Sequence, residues 1–460
     1  MGKYQAYPEH KDSGVDWLGS IPVHWQVVPI KRLAVINPKK SAIDTELLKQ
    51  QCSFLPMEKL KLDSIILDET QLVGDVFKGY TYFENGDVLM AKVTPCFENK
   101  NIAVASHLVN SIGFGSTEIY VLRSNSTVHN RFLFYRLQED NFMSIAIASM
   151  SGAGGLKRVP AEVISNHSIA IPKLNEQTQI ANFLDHETAK IDALIEKQQQ
   201  LISLLQEKRQ AVISHAVTKG LNPDVPMKDS GVEWLGQVPE HWEIKQLKHF
   251  GVIVGGFAFK SSDFTDEGYP VIKISNVSHL AIDWSDRSYL PESFVAEHRD
   301  YIAPKGALVF AMTRPIISGG IKVFLMDDES LPLINQRVGF MKATDNEVSR
   351  FILMSSLSNS FIAQFTNNMT VTNQPNISGE GIGSIRIPLP PSDELAEINN
   401  KLLHLNTMHS KTMEKCNHQI SLLKERRTAL ISAAVTGKID VRNWQAPSQS
   451  STTSTEEQAL

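Results

Sequence analysis

The chain has 460 residues, 42% of them hydrophobic, with three cysteines and a formal charge of −5. That length exceeds one ordinary core and points to roughly two to four domains, while no run of eighteen apolar residues offers a membrane span. Cys52, Cys96 and Cys416 are too scattered for a zinc-ligand pattern or a disulfide framework. The opening "MGKYQAYPEHKDSG" has no apolar signal region, so a reducing cytoplasm is expected. The net charge does not advertise a nucleic-acid binder, nor does it exclude one, because binding footprints are local.

The first recognisable element is "KDSGVDWLGSIPVHW", Lys11 to Trp25. A variable block follows, with β-rich runs at Gly86–Val93 and Ser116–Arg123 and a helix near Asn130–Ile147. From Glu176 to Lys219 there is no Gly or Pro, and the stretch lies between Pro172 and Gly220, ordinary start and stop signals. Ile180, Leu184, Ile191, Leu194, Ile195, Leu201, Ile202, Leu205 and Val212 recur at three- and four-residue spacing, one face of a long helix.

The opening phrase then returns as "KDSGVEWLGQVPEHW", Lys228 to Trp242. A second variable block carries β-rich runs at Tyr269–Val277, Gly306–Thr313 and Gln336–Lys342, and a helix near Asn346–Phe365. A second long helix is expected from Ser392 to Thr436, between Pro391 and Gly437, with Leu395, Ile398, Leu402, Leu405, Met413, Ile420, Leu423 and Leu430 on its stripe. Its end, "ISLLKERRTALISAAVTGKI", echoes "ISLLQEKRQAVISHAVTKGL" of the first. Helices of ~42 residues are ~60 Å long and need a partner; each is the natural partner of the other, chiefly through Leu184, Ile191, Leu194, Leu205 and Val212 against Leu402, Leu405, Ile420, Leu423 and Leu430.

The organisation is therefore a scaffold segment (1–25), a variable α+β block (26–172), a long helix (173–220), a linker with the second scaffold copy (221–242), a second block (243–390), a second long helix (391–440) and a polar, disordered tail (441–460). Four of the six tryptophans, Trp17, Trp25, Trp234 and Trp242, fall in the repeated phrase. His24 and His241 invite a catalytic reading, but no carboxylate or nucleophile recurs with them at a meaningful spacing. Packing of rigid aromatics is the better account. The chain has no P-loop and no amino-methyltransferase tetrapeptide, and it reads as one that binds and positions.

The repeated phrase is accompanied, in chain order, by "AKVTPCFEN" (91–99), "GFGSTEIYVLR" (113–123) and "IPKLNEQTQIANFLD" (171–185) in the first half and "GFAFKSSDF" (256–264), "YPVIKISNV", "AMTRPIISGGIKV" (311–323) and "LINQRVGF" (333–340) in the second. In that order they resemble the specificity (S) subunit of type I restriction–modification systems, over residues 10–440. One departure is "PPSDELAEINNKL", where Glu394-Leu395 stands in place of the family's Glu-Gln pair. The resemblance implies two α/β-mixed target-recognition domains, separated by two long antiparallel coiled-coil helices with a pseudo-twofold internal repeat. Each domain would read half of a bipartite double-stranded DNA site, and the helices would dock two methyltransferase subunits and set the gap. Two motor–nuclease subunits would complete the complex. S-adenosylmethionine, ATP and Mg2+ would be used by those partners, with no cofactor, metal or catalytic residue in this chain and no membrane association.

Base reading requires Arg or Lys for guanine and Asn or Gln for adenine, and phosphates are met by Lys, Arg and hydroxyls. In the first block Lys92, Thr94, Asn99, Lys100, Lys157 and Arg158 lie in loops after expected strands or in the Gly-rich "SGAGGLKRV". In the second block the candidates are Lys260, Ser261, Lys273, Asn276, Thr313, Arg314, Gln336, Arg337, Asn373 and Gln374. Two other readings are a stand-alone bivalent DNA-binding regulator and a coiled-coil adaptor that binds only proteins. Sequence-specific binding by the pure chain would favour the first; no DNA specificity even with a methyltransferase present would favour the second.

Overall fold

The computed structural model describes residues 4–40, 43–327, 329–370 and 373–446. Two compact units emerge, one from residues 1–198 with 418–460 and one from 199–417. Both boundaries fall inside the long helices, which span Leu174–Lys219 and Ser392–Val435, so each unit owns half of each helix.

In the first unit the repeated phrase opens as a hairpin, His10–Asp12 against Ser20–Pro22. The next strand, Gln26–Pro29, pairs antiparallel with Ser168–Ile171 and so closes the variable block at its base. The block is built on an antiparallel sheet ordered Ile102–Val104, Val88–Ala91, Ile119–Ser124, Ala34–Ile36. Val88–Ala91 is apolar throughout because both of its faces are covered. Alternate residues point to opposite faces: Val88 and Met90 join a core with Phe132 and Phe183, while Leu89 and Ala91 join Leu55 and Phe83. A second sheet, ordered Thr70–Leu72, Gln51–Leu55, Ile112–Gly115, Thr81–Glu84, contains one parallel pair.

The second unit repeats this plan. Its phrase forms the hairpin Met227–Asp229 with Gln237–Pro239, and Glu243–Gln246 pairs with Arg386–Leu389. The main sheet runs Val323–Leu325, Ala307–Ala311, Val338–Lys342, Ile253–Gly255, the same order with the same antiparallel pairings. Leu308 and Phe310 face the helices; Ala307, Val309 and Ala311 face the other core. The smaller sheet has three strands, Ser288–Leu290, Tyr269–Ile272 and Leu333–Ile334, again with one parallel pair.

In each unit one tryptophan joins the start of one long helix to the end of the other. In the first, buried Trp25 donates from Nε1 to Oε1 of Glu176, in the helix's first turn, at 3.0 Å. Tyr7 donates to the same oxygen at 2.7 Å, and His24 Nε2 lies 2.9 Å from Oε2. An acid in the first turn also suits the positive end of the helix dipole. Gly437, just past the second helix, has φ +74°, and a Cβ there would lie 2.4 Å from Pro22 Cδ and 3.5 Å from the Trp25 ring. Glycine is thus required both by the left-handed turn that ends the helix and by the contact.

The second unit uses Trp242, whose Nε1 is 3.0 Å from Oε2 of Glu394; His241 Nε2 is 2.9 Å from that oxygen. Gly220, at φ +78°, has room for no Cβ beside Glu394 Oε1 and Trp242. The departure at Glu394-Leu395 therefore retains the acid. Leu395 is buried in the second core, where Gln177 of the first unit instead accepts from His129 N (2.8 Å) and donates to Thr127 O and Pro172 O.

Several expectations need correction. The single helix expected near Asn130–Ile147 is two, Asn130–Arg136 and Asp140–Ala148, and that near Asn346–Phe365 is likewise two, Asn346–Ser355 and Asn359–Asn367. The Glu139 carboxylate and the Ser358 hydroxyl accept from the amides of Phe142 and Phe361, both at 3.3 Å, and so begin new helices. Leu194 is 49% exposed, because the helix turns that position away from its neighbours. Leu184, Ile191 and Leu402 are buried, whereas Leu205, Val212, Leu405, Ile420, Leu423 and Leu430 are only half-buried. In the last part of the first helix the covered residues are Ile213, Ala216 and Val217. The start of the segment expected as a disordered tail is packed: Val441 is buried and the Trp444 ring lies edge-on to Phe183 at 5.4 Å. The rest of that tail, 447–460, lies outside the described residues. Among the described residues no helix is long and apolar enough to cross a membrane.

Glu176→Ala and Glu394→Ala should each destabilise their unit by about 1–3 kcal/mol, since each strands a buried indole N–H. The readout is a lower urea midpoint. A second expectation concerns buried His167, stacked on Trp17 at 5.5 Å and edge-on to Phe142 at 5.0 Å. Burial, and then the nearby Arg136 charge, push its pKa from 6.5 down to about 4. The imidazole is neutral when folded and must charge when unfolded, so its share of stability is complete above pH 6.5 and falls away from 6.5 towards 4. The thermal midpoint should drop over that window, and less steeply in His167→Gln.

Candidate nucleic-acid interface

Strand Val88–Ala91 leaves its sheet at Lys92, beside the point where Ile119–Ser124 enters it. Lys92 N donates to Glu118 O at 3.0 Å, and Val159 N donates to Lys92 O at 2.9 Å. Thr94 then clasps a third segment: its N donates to Lys157 O (3.0 Å), its hydroxyl donates to Gly155 O (3.0 Å) and accepts from Lys157 N (2.9 Å). That segment is the hairpin Ser151–Ala153 with Leu156–Arg158. Its turn residues, Gly154 and Gly155, have φ +63° and +81°, the tight hairpin turn that glycine permits without strain. Every residue from 151 to 158 is exposed, and Tyr120 anchors the hairpin's base by donating to Val159 O at 2.8 Å.

The second unit joins the equivalent three loops in the same register. Met312 N donates to Arg337 O (2.7 Å), Ile377 N to Met312 O (2.9 Å) and Arg314 N to Pro375 O (2.8 Å). The backbone frame is shared while the side chains differ: Lys92, Thr94, Glu118, Lys157 and Arg158 in one unit, Met312, Arg314, Arg337, Pro375 and Asn376 in the other, with Thr313 between Met312 and Arg314. Arg314 and Arg337 are exposed and held at φ +44° and +70°, values an L-residue adopts only where its surroundings impose them. Gln336 N donates to Phe257 O at 2.8 Å, which brings the loop of exposed Lys260 and Ser261 to the same place. Asn373 and Gln374 are exposed in the third loop.

Three candidates have their polar atoms engaged within the fold. Asn276 is fully buried, accepting from Lys273 N and donating to Asp283 O and Asp286 O; it staples a loop and presents no edge to a ligand. Lys100 is a brace between Gln138 O (2.9 Å) and Asp140 (3.0 Å). Lys273 is paired with Asp286 at 2.8 Å. Asn99 is exposed beside Lys100. Glu118 is the residue that sequence reading passed over. Its carboxylate takes Arg158 Nε and Nη2, each at 2.9 Å, and this pairing holds its pKa below the usual carboxylate range. The acid inside an otherwise basic set of loop residues was the available signal.

Residues 22–204 and 239–430 match the type I restriction modification DNA specificity domain. The chain belongs to that family. It is a DNA sequence-specificity subunit. It is 28% identical to the type I restriction enzyme EcoAI specificity subunit of Escherichia coli, over 91% of this chain and 83% of that one. It is 30% identical to the MjaVIII specificity subunit of Methanocaldococcus jannaschii, over 71% and 74%. A chain solved in work on complex assembly and conformational transition of the type I restriction–modification system has the same fold, with a TM-score of 0.67 at 18% identity over 91% of this chain and 99% of that one.

Thr94→Val should remove both hydroxyl hydrogen bonds of the clasp while keeping the volume. Amide exchange at Gly155–Arg158 of this specificity subunit should quicken, with the sheet strands Val88–Ala91 and Ile119–Ser124 unchanged.

Proposed function

We propose that each unit reads one half of a bipartite double-stranded DNA site through its three-loop cluster. The long helices pair as an antiparallel coiled coil with pseudo-twofold symmetry, carry two methyltransferase subunits and set the gap between half-sites. Two motor–nuclease subunits complete the complex. S-adenosylmethionine, ATP and Mg2+ serve those partners, this chain supplies no catalytic group, and the assembly works in the cytoplasm. One observation carries the reading: two units with one strand order and one loop register present different side chains at the same backbone positions. A repeated frame with divergent reading groups suits a site of two unlike halves. The tryptophan junctions support the antiparallel pairing, as do Arg427 Nε donating to Asp192 (3.0 Å) in the first unit and Arg209 Nε donating to Asn406 (2.8 Å) in the second.

Exchanging residues 26–170 for the corresponding block of a relative tests this. With methyltransferase present, mapping of methylated sites should give a new sequence in one half-site and the original in the other. A change in both halves together would overturn the modular reading, and no sequence preference in the unaltered complex would overturn the function itself.

A further inference from the structure

Glu118 stands out on the first unit's loop surface. A carboxylate repels phosphates, so on a surface meant for DNA it weakens binding unless it does something else. Its surroundings show what that is. Glu118 sits at the start of strand Ile119–Ser124, its carbonyl accepting from Lys92 N, so its position is set by the sheet. Arg158 sits on the last strand of the exposed hairpin, whose backbone is clasped to Thr94 and Lys92. The carboxylate binds the Nε–Nη2 edge of the guanidinium with two bonds of 2.9 Å. What remains is the Nη1–Nη2 edge, with no partner for Nη1 among the described residues. Arg158 keeps 46% of its side chain exposed, against 27% for Glu118.

We propose that Glu118 orients Arg158 to read a guanine in the half-site of the first unit, making the pair a specificity determinant. A guanidinium held along one edge offers two parallel N–H donors on the other, and guanine presents two acceptors, O6 and N7, in the major groove. Side-chain freedom is removed before DNA arrives, so the two contacts form with less loss of rotamer entropy than a free arginine would suffer. In the second unit Arg337 occupies the position of Glu118, and Pro375 and Asn376 fall where Lys157 and Arg158 stand. That unit therefore lacks the device and reads a different half. Glu118 is a positioning residue and Arg158 the reading one. This assignment rests on the two-half reading given above.

The test uses the full chain in its methyltransferase complex and a DNA library randomised in each half-site. The unaltered complex should require G·C at one fixed position of one half-site. Arg158→Ala should lower discrimination at that pair by about 5- to 150-fold, the range of a good bidentate contact, and leave the other half-site unchanged. Arg158→Lys keeps the charge and loses the fork, so it should lose discrimination there while retaining binding to unrelated DNA. Glu118→Gln should relax the same position and no other. Replacing that guanine with 7-deazaguanine, which lacks the N7 acceptor, should weaken the unaltered complex and add little to the loss in Arg158→Ala. An even loss of affinity across all sequences would make Arg158 a phosphate contact, and no loss at all would remove the hairpin from the interface; either overturns the proposal while leaving the two-half reading intact. A complex with no sequence preference before mutation would overturn both.

Discussion

The organisation of each unit depends on a buried tryptophan whose indole N–H must find an acceptor. Trp25 and Trp242 find it in an acid of a long helix's first turn, Glu176 and Glu394, about 150 residues further along the chain. The same ring presses on a glycine that ends the other long helix, Gly437 or Gly220. One side chain thereby decides where one helix begins, where the other stops and that the two ends meet. An unpaired indole N–H in a core costs about 1–3 kcal/mol, so pairing by any other acid or at another register is disfavoured. The repeated phrase exists to deliver this ring: its hairpin sets the approach, and the strand after it ties the base of the variable block to the same place.

With the base held, the loops at the far end of the main sheet can differ. Their backbone hydrogen bonds occur in the same register in both units, so Lys92 corresponds to Met312, Thr94 to Arg314 and Glu118 to Arg337. Backbone-to-backbone bonds are indifferent to side-chain identity, whereas base recognition depends on nothing else. This division lets the loop side chains change without disturbing the fold. Other polar residues of the same blocks hold the frame: Asn276 and Lys100 donate to backbone carbonyls of their own unit.

Much of this was legible in the sequence. The long helices announced themselves by the lack of Gly and Pro between Pro172 and Gly220 and between Pro391 and Gly437, and the structure begins and ends them within two residues of those expectations. Apolar runs such as "VLMA" and "ALVFA" marked the central strands, because a strand covered on both faces carries no alternation to hide it. The repeated phrase and its family resemblance gave the two-unit plan. Local caps were harder: Glu139 and Ser358 each break a continuous apolar pattern by capturing one amide, an event that periodicity does not register.

What the sequence determined by itself was therefore the local and the repeated: helix length, strand identity, the twofold occurrence of one phrase. Only the tertiary structure decided which distant groups became partners. His24 and His241 lacked a companion acid along the chain, yet Glu176 and Glu394 lie 2.9 Å from them in space. Leu194 follows the apolar stripe and still faces solvent, because periodicity defines a face but only packing defines what covers it. Glu118 and Arg158 are forty residues apart and become a pair because a clasped hairpin and the start of a central strand converge. Pairing across such separations is set by hydrogen-bond geometry and burial, quantities that exist only once the chain has closed its loops.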